Sequence, residues 1–337
     1  MALHPMPNPE PNQTIRQREF LFIIGSPRSG TTWLQLMLGA HPKVCATTEL
    51  RLYNKYTAPW LQAWKEESPL IEEGKHYLGL PVLWTEAEFH EFLRGFLDRV
   101  YTKVIASKAA ATHILDKHPQ YSQFVEDIHF LIPGARFIHI IRDGRDVAVS
   151  LAAASRQMGW FASEPLPDYG AFWKRELLAA RKASGYTGRY LEVRYEDLSA
   201  GPATVLKSVL GFCGLAASDE LVTAIVEKHK FENLKRSRLS PAEGVRVPEG
   251  HYRQGKVGSW YREFTALQRY LFDRTAGDLL RELGYAQRGW WAEGPHQTAL
   301  LPLAAGVCRM GQRVAEAFAV LRGRRKTIRL HEATEVT

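Results

Sequence analysis

Cysteine is scarce in this 337-residue sequence, and the three that occur, Cys45, Cys213 and Cys308, form neither a CxxC pair nor a metal-ligand spacing. The sequence therefore predicts no disulfide framework and no cysteine metal site, and it favours a reducing compartment. Runs of about 18 apolar residues, which a membrane-spanning helix requires, are also missing. The opening residues MALHPMPNPEPNQ lack the apolar segment of a secretory signal peptide. From these absences we expect a cytoplasmic protein without a membrane span.

Acidic residues are outnumbered, with 36 Asp and Glu against 44 Lys and Arg, so the formal net charge is +8. A basic excess suits a polyanionic ligand such as a nucleotide with several phosphates, but it also suits nucleic acid or an acidic membrane surface. Alternating basic and aromatic residues and known reader motifs are missing, so we expect no nucleic-acid partner. The hydrophobic content of 45% and the chain length fit one large globular domain with additions.

Residues 20–33, FLFIIGSPRSGTTW, have the strand–loop–helix form of a phosphate cradle. An apolar run ends at Gly25, a second glycine follows at Gly30, and Thr31 opens a segment with helical character. Loop N–H groups and a helix N-terminus together attract a phosphate. An ATP-binding P-loop carries lysine after its second glycine, whereas this chain has Thr31 there and a cation, Arg28, inside the loop. The loop is therefore predicted to bind a nucleotide whose transferable group is not a γ-phosphate.

Strands and helices alternate along the rest of the chain, which predicts an α/β fold with a parallel, P-loop-like sheet covered by helices on both faces. Strands are predicted at Phe20–Ile24, Thr112–Leu115, Arg136–Ile141 and Tyr190–Val193. Helices are predicted at Glu86–Ile105, Tyr121–Leu131, Gly144–Gln157, Ala171–Ala183, Ala203–Phe212, Asp219–Lys228 and Thr265–Leu283.

Domain boundaries follow from composition. Residues 1–18 are polar and proline-rich and are predicted to be a disordered lead-in. Residues 19–285 form the single α/β domain, and 286–337 form a helical C-terminal extension. Within the domain, 44–85 is expected to be irregular because prolines and a glycine interrupt it. Within the extension a basic run, 322–326, follows the small and apolar residues of 300–321, which fits a helix that packs on the domain or on a second subunit, or one that lies on an anionic membrane.

A second phosphate site is suggested further along the chain. Arg142 lies where the strand Arg136–Ile141 leaves the sheet, at the carboxyl edge that ligands use in such folds. Ser150 lies on the helix that follows. An arginine with a hydroxyl can bind a separate phosphate through charge-assisted hydrogen bonds. The alternative is that Arg142 caps a loop and Ser150 is a helix surface residue, and these residues alone leave both open.

Taken together, these segments resemble the sulfotransferases that use PAPS, 3′-phosphoadenosine 5′-phosphosulfate. Pro27–Trp33 matches the family loop PxSGTTW, which holds the 5′-phosphosulfate, and Arg142 with Ser150 keeps the family spacing of eight for the 3′-phosphate. Residues 194–198, RYEDL, resemble the stretch whose tyrosine lies near the adenine. Residues 253–260, RQGKVGSW, resemble the RKGxxGDW loop over the 3′-phosphate, with glutamine and serine where the family has lysine and aspartate.

The resemblance covers about residues 20–283 and implies sulfuryl transfer from PAPS to a hydroxyl or amine, with release of adenosine 3′,5′-bisphosphate (PAP) and no required metal. Trp33 is expected at the adenine, although a core position suits it equally. The implied nucleotide-binding residues are Arg28, Ser29, Gly30, Thr31, Thr32, Trp33, Arg142, Ser150, Tyr195, Arg253, Gln254 and Gly255.

Catalysis of sulfuryl transfer should depend on positioning and charge stabilisation. Arg28 is predicted to neutralise the breaking phosphosulfate bond. The resemblance to family branches with a lysine after this strand implies Lys117 as a second cation, and the alternative is a solvated lysine at a helix start. The resemblance to branches with a catalytic glutamate makes Glu49 the preferred base. His118 is the alternative, because the small-molecule branch has a histidine two residues after its lysine, whereas His118 follows Lys117 directly.

The acceptor and two competing functions remain open at this stage. Aromatic residues between Tyr53 and Trp84 suit a small-molecule, glycan or natural-product acceptor, or are ordinary core. A P-loop kinase or NTPase is the first alternative, and the absence of lysine after Gly30 and of a clear Mg²⁺-binding aspartate argues against it. A non-catalytic nucleotide-binding protein is the second alternative. A homodimer through the C-terminal extension is a further expectation.

Overall fold

The computed structural model describes residues 17–306 except 76, 160–165, 167, 239–245 and 248–254. Its centre is a five-stranded sheet in which all paired strands are parallel, with the order β2-β3-β1-β4-β5. The strands are β1 (Glu19–Ile24), β2 (Val44–Ala46), β3 (His113–Lys117), β4 (Arg136–Ile141) and β5 (Tyr190–Arg194). The predicted α/β class and parallel sheet are confirmed.

Strand β1 occupies the middle of the sheet because it is apolar on both faces. After Glu19 each of its residues is buried, which is the pattern of a parallel strand covered on both sides. Phe20 and Phe22 belong to one core cluster, and Leu21 and Ile23 belong to a second cluster on the opposite face. This alternation follows from the two-residue period of a strand. The sheet is therefore a rigid platform between two layers.

Helices cover both faces of this sheet. On the Phe20 face the core includes residues of helices α2, α3 and α4, and on the Leu21 face it includes residues of α1, α8 and α9. The helices are α1 (Thr31–Gly39), α2 (Ala58–Glu72), α3 (Glu86–Ala106), α4 (Val125–Leu131), α5 (Gly144–Met158), α6 (Asp168–Arg181), α7 (Tyr195–Ala200), α8 (Pro202–Cys213), α9 (Asp219–Lys228), α10 (Phe231–Ser237), α11 (Trp260–Glu263) and α12 (Ala266–Glu282).

The prediction of irregular structure at 44–85 is wrong. This segment contains β2, a π-helical turn at Tyr53–Thr57, the 15-residue helix α2 and a 3-10 turn at Leu80–Val82. Pro59 did not interrupt the helix, because it lies in the first turn, where an N–H has no helical partner to lose. Pro69 lies inside the helix, close to its end. The prolines were therefore poor markers of irregular backbone here.

A second correction concerns the helix predicted at Tyr121–Leu131. The chain forms a 3-10 helix at Pro119–Phe124 and only then the α-helix α4. The other predicted elements occur, with ends that move by a few residues.

The structure describes neither end of the chain. Residues 1–16 and 307–337, including the basic run at 322–326, lie outside the described residues, while 295–306 is helical. The domain boundaries at 19 and 286 and the disordered lead-in stay predictions. Within the described ranges, no helix combines the length and apolar character needed to cross a bilayer.

Candidate functional site

The carboxyl ends of four neighbouring strands deliver the predicted site residues to one edge of the sheet. The 25–30 loop follows β1, and Arg142 follows β4. Lys117 is the last residue of β3, and Tyr195 directly follows β5. Since these strands are adjacent and parallel, the four features come together although up to 170 residues separate them in sequence. Ligands of open α/β sheets bind at this edge.

The 25–30 loop needs both of its glycines. Gly25 and Gly30 have φ angles of 141° and 97°, which side chains rarely adopt. A Cβ atom would lie 2.4 Å from the Ile140 carbonyl oxygen at Gly25, and 2.6 Å from the Tyr195 ring at Gly30. Helix α1 starts at Thr31 without a side-chain cap at Gly30, so its first N–H groups face the loop. The loop therefore has the backbone form of an anion site.

Arg28 lies in this loop and directs its side chain toward helix α5. Its backbone is left-handed, with φ 72°, which is uncommon for a residue with a side chain. Its Nε donates a hydrogen bond to the Ser150 hydroxyl at 3.1 Å. The sequence assigned these two residues to separate phosphates, whereas the structure places them in contact. Arg28 and Ser150 thus lie at the junction between the two predicted phosphate positions.

Arg142 is 7% exposed and forms the centre of the second predicted phosphate position. Its guanidinium lies 4.2 Å from the centre of the Tyr195 ring and donates to the carbonyls of Arg28 at 3.1 Å and Lys256 at 2.9 Å. Within the described part of the chain, Arg142 Nε and the Ser29 hydroxyl are buried without a hydrogen-bond partner. Buried polar atoms of this kind are rarely left unpaired, so they fit an anionic ligand in the pocket.

A pocket joins these groups. Tyr195 closes one side of it, with its hydroxyl donating to the Gly255 carbonyl at 2.8 Å. Trp33 lines the pocket and donates through its indole N–H to the His229 carbonyl at 2.9 Å. Predicted residues Arg253 and Gln254 lie outside the described residues. The lining residues are Arg28, Gly30, Thr31, Thr32, Trp33, Arg142, Asp146, Ser150, Tyr195, Phe231, Leu234, Gly255, Lys256 and Ser259.

Lys117 connects this pocket to the predicted base. Its side chain is 1% exposed, and Nζ donates to the Thr32 hydroxyl at 3.1 Å and forms an ion pair with Glu49. Burial lowers the pKa of Lys117, and the Glu49 carboxylate opposes this change. The charge of Arg28 lowers the same pKa, so the two cations lie within electrostatic reach. Lys117 is therefore not the solvated lysine of the alternative interpretation.

His118 lies beside Glu49, with 3.9 Å between its Nε2 and the Glu49 Oε2. Burial lowers the pKa of His118 to about 4, so the ring is neutral at pH 7. Its Nδ1 accepts the backbone N–H of Gln120 at 3.3 Å, which assigns the ring proton to Nε2. In this tautomer the nitrogen that faces Glu49 is a donor and not a base.

A buried carboxylate that the sequence interpretation missed supports the end of β3. Asp116 is fully buried and accepts hydrogen bonds from the Thr47 hydroxyl, the Lys117 N–H, and the hydroxyls of Tyr101 and Tyr121 at 2.7, 2.8, 2.8 and 3.3 Å. Burial raises its pKa. Its position in the strand next to Lys117 was the only sequence signal. Asp116 fixes the backbone from which Lys117 extends.

Asp146 is a second missed residue, and it holds the 255–260 loop against the pocket. Its carboxylate accepts from the Gly258 N–H at 2.7 Å, the Ser259 hydroxyl at 2.9 Å and the Trp260 N–H at 3.0 Å. In the sequence it resembles an ordinary acidic residue in the first turn of a helix. Ser259, which replaces the family aspartate, is one of its three donors. The serine at this position of the loop therefore has a defined hydrogen-bond partner in Asp146.

The aromatic stretch divides into core and surface. Tyr53 is fully buried, whereas Tyr56 and Phe92 are 45% and 47% exposed. Rings in contact form a cluster around Trp60, whose ring packs on those of Tyr56, Phe92 and Phe96, with ring centres 5.3–6.1 Å apart. The Trp84 ring packs on Phe92, with centres 5.4 Å apart. The turn Tyr53–Thr57 is tied to the turn after His118 by the Asn54 amide, which donates to the Gln120 side chain at 2.8 Å.

Within the described part of the chain, no group of three or more His, Cys, Asp or Glu side chains has an arrangement that could hold a metal ion.

Known proteins resemble this chain in structure and in sequence. A solved structure of mouse sulfotransferase SULT7A1 complexed with PAP aligns with 79% of this chain and 87% of its own, with a TM-score of 0.55 and 18% identity, so it shares the fold. Among sequences, chicken protein-tyrosine sulfotransferase 2 is 25% identical over 61% of this chain and 54% of its own length. Nodulation protein NoeE of Sinorhizobium fredii is 26% identical over 79% of this chain and 66% of its own.

A further relative, an uncharacterized protein of Aquifex aeolicus, is 30% identical over 72% of this chain but only 30% of its own length. This chain thus spans about a third to two thirds of the length of these relatives. The family model described as the sulfotransferase family matches residues 21–219, which is more than half of the 337 residues. The matched range includes the 25–30 loop, Glu49, Lys117, Arg142 and Tyr195. The chain belongs to the sulfotransferase family.

Proposed function

We propose that this protein transfers the sulfuryl group of PAPS to a hydroxyl acceptor and releases PAP. The observation that carries the proposal is the pairing of two cationic positions in one pocket, the 25–30 loop with Arg28 and the buried Arg142 beside Tyr195. A nucleotide with a phosphate on each side of its ribose has two anionic groups to match them. The unpartnered Arg142 Nε and Ser29 hydroxyl fit such a ligand.

In the proposed reaction the acceptor oxygen bonds to sulfur while the bond from sulfur to the 5′-phosphate oxygen breaks. Arg28 and Lys117 offset the negative charge that builds on the departing phosphate. Glu49 takes the proton of the acceptor hydroxyl as that oxygen becomes bonded. Support for Glu49 comes from the tautomer of His118, in which the Nε2 that faces Glu49 carries the ring proton and Nδ1 accepts the Gln120 N–H. The ion pair with Lys117 keeps the Glu49 carboxylate beside the helix that follows the phosphate loop.

We place the acceptor against the exposed rings of Tyr56 and Phe92. Tyr56 belongs to the turn Tyr53–Thr57, which the Asn54–Gln120 hydrogen bond ties to the turn after His118. Phe92 lies on α3 and packs on Trp60, which contacts Tyr56. Aromatic faces pack on apolar, phenolic and sugar-like groups. Relatives are named for protein tyrosine and flavonol acceptors, which both present a phenolic hydroxyl. A phenol, a small alcohol or a glycan hydroxyl is therefore the proposed acceptor class.

Melting curves with PAP, ADP, AMP and ATP–Mg²⁺ test the proposal. A ligand that binds only the folded state stabilises it by about 2.7 kcal/mol at a hundred times its dissociation constant, which gives a measurable shift. We expect a large shift with PAP and small shifts with AMP and ADP. A shift with ATP–Mg²⁺ and none with PAP would contradict the proposal and support a kinase or NTPase. No shift with any of them would support neither enzyme.

Three finer expectations are part of the same proposal: a reaction without a metal ion, a cytoplasmic location, and a homodimer through residues 286–337. Undiminished transfer in EDTA, cell fractionation, and the mass of the protein in solution with and without 307–337 would test them in turn.

A further inference from the structure

Arg145 links the 255–260 loop to the chain that follows α12. Its guanidinium packs against two adjoining indoles, 3.9 Å from the centre of the Trp260 ring and 4.5 Å from that of Trp290. The same side chain binds the Asp143 carboxylate through Nε at 2.9 Å and Nη2 at 2.6 Å, and donates to the Tyr285 carbonyl at 2.5 Å. Arg145 is 4% exposed, so these contacts are shielded from water.

The loop held by this arrangement is the one that closes the pocket. Trp260 directly follows Ser259, which with Gly258 is bound to Asp146. Asp146 and Arg145 are neighbours in the first turn of α5, so one helix turn holds the loop through a carboxylate and a guanidinium. At the other end of the loop the Lys256 carbonyl accepts from Arg142. A shift of Trp260 would therefore be transmitted to the pocket wall.

Trp290 is fixed from its other side by helix α12. Its indole N–H donates to the Asp273 carboxylate at 2.9 Å, and Asp273 also binds Arg281 at 2.7 Å. The Trp260 and Trp290 rings meet edge to face, with centres 5.3 Å apart. Residues 285–293, which we call the brace, thus connect α12 to the pocket loop. The brace lies beyond the matched range 21–219.

We propose that the brace is a functional part of the nucleotide site and that Trp290 is a positioning residue for binding of the 3′-phosphate. Trp290 packs on both the Arg145 guanidinium and the Trp260 ring, and so holds Trp260 and the 255–260 loop against the pocket. It does not line the pocket itself. The identity of the nucleotide rests on the proposed function, whereas the brace itself rests on the contacts of Arg145.

The test compares Trp290→Leu with Trp291→Leu. Trp291 is a matched control, because it adjoins Trp290 and packs on α12 through Tyr270, with ring centres 4.8 Å apart, away from Arg145. Calorimetry measures the dissociation constants of PAP and AMP, and unfolding of the ligand-free variants measures stability. For Trp290→Leu we expect PAP to bind about tenfold more weakly, a loss of about 1.4 kcal/mol. AMP should change less than about twofold, because it has no 3′-phosphate. Trp291→Leu should leave both constants as they are.

A conservative variant separates positioning from folding. Trp290→Phe keeps a ring over Arg145 but loses the hydrogen bond to Asp273, so an intermediate loss of PAP affinity is expected even if Trp290→Leu does not fold. In turnover, the KM for PAPS should rise and kcat should not fall. Equal losses for PAP and AMP, or unchanged PAP binding, would overturn the inference. If the wild type binds ATP–Mg²⁺ and not PAP, the proposed function fails, and the brace is tested by the ATP affinities of Trp290→Leu and Trp291→Leu.

Discussion

Glu49 and His118 are the two candidate bases, and their facing atoms, Oε2 and Nε2, lie 3.9 Å apart. Burial lowers the pKa of His118 to about 4, so its titration leaves no signature near pH 6.5 in a rate profile. Substitution separates the two candidates. We expect Glu49→Gln to lower kcat by about 10²–10⁴, the usual range for loss of a general base, while His118→Asn costs far less. Initial rates with saturating PAPS measure both. The opposite order would make His118 the base.

Arg142 should discriminate between nucleotides by their 3′-phosphate. Its removal takes away charge-assisted hydrogen bonds worth about 1.5–3 kcal/mol, so Arg142→Ala should weaken PAP binding by roughly 10- to 100-fold and AMP binding much less. Arg136→Ala is the control, because Arg136 begins the same strand at its other end and donates to the Cys213 carbonyl. Competition assays with PAP and AMP give both constants. Similar losses for the two nucleotides would remove Arg142 from the 3′-phosphate position.

Among the elements, the β1–α1 loop depends on glycine at position 30. In Gly30→Ala the new methyl group would meet the Tyr195 ring at 2.6 Å, and the residue would keep an unfavourable φ of 97°. We expect a loss of about 1–3 kcal/mol in the free energy of unfolding and weaker PAP binding. Gly211→Ala is the control, since Gly211 lies in helix α8 with open space around it and should gain about 0.5–1 kcal/mol. Urea unfolding gives both values.

Local pattern was enough to predict the four strands β1, β3, β4 and β5, which carry most of the site, but not β2, which precedes Glu49. The apolar run of β1 and the glycines at 25 and 30 are adjacent in sequence, so their form follows from nearby residues. Asp146 was missed because its partners lie 112–114 residues away and the carboxylate looks like an ordinary helix-start residue. The ion pair of Lys117 with Glu49 joins residues 68 apart, and only the sheet order brings them together.

For the whole molecule, buried histidines predict a loss of stability in acid. Burial lowers the pKa of each of the five: His41, His113, His118, His139 and His229. Below the ordinary histidine pKa of 6.5 these side chains are protonated in the unfolded chain but stay neutral in the folded chain. The free energy of unfolding therefore falls as the pH decreases. Buried carboxylates with a raised pKa, such as Asp116 and Asp143, act in the opposite direction in acid.

The contribution of His118 can be isolated from the slope of the free energy of unfolding against pH. As the pH falls from 6.5 to 4, the free energy of unfolding of the wild type should decrease by up to about 1.4 kcal/mol per pH unit more than that of His118→Asn. The reason is that His118 binds one proton on unfolding. Urea unfolding of both proteins at pH 7, 6 and 5 measures the difference. Parallel slopes would mean that His118 titrates normally in the folded protein.

The hydrogen bonds of the 255–260 loop have a consequence for the turnover rate. Asp146, Arg142 and Tyr195 together make five hydrogen bonds to it. If the proposed nucleotide lies beneath this loop, the spent nucleotide leaves only after several of these bonds open at once. Departure of PAP, and not the transfer itself, should then limit turnover. On rapid mixing, one equivalent of sulfated product per enzyme should form quickly and steady formation should follow more slowly.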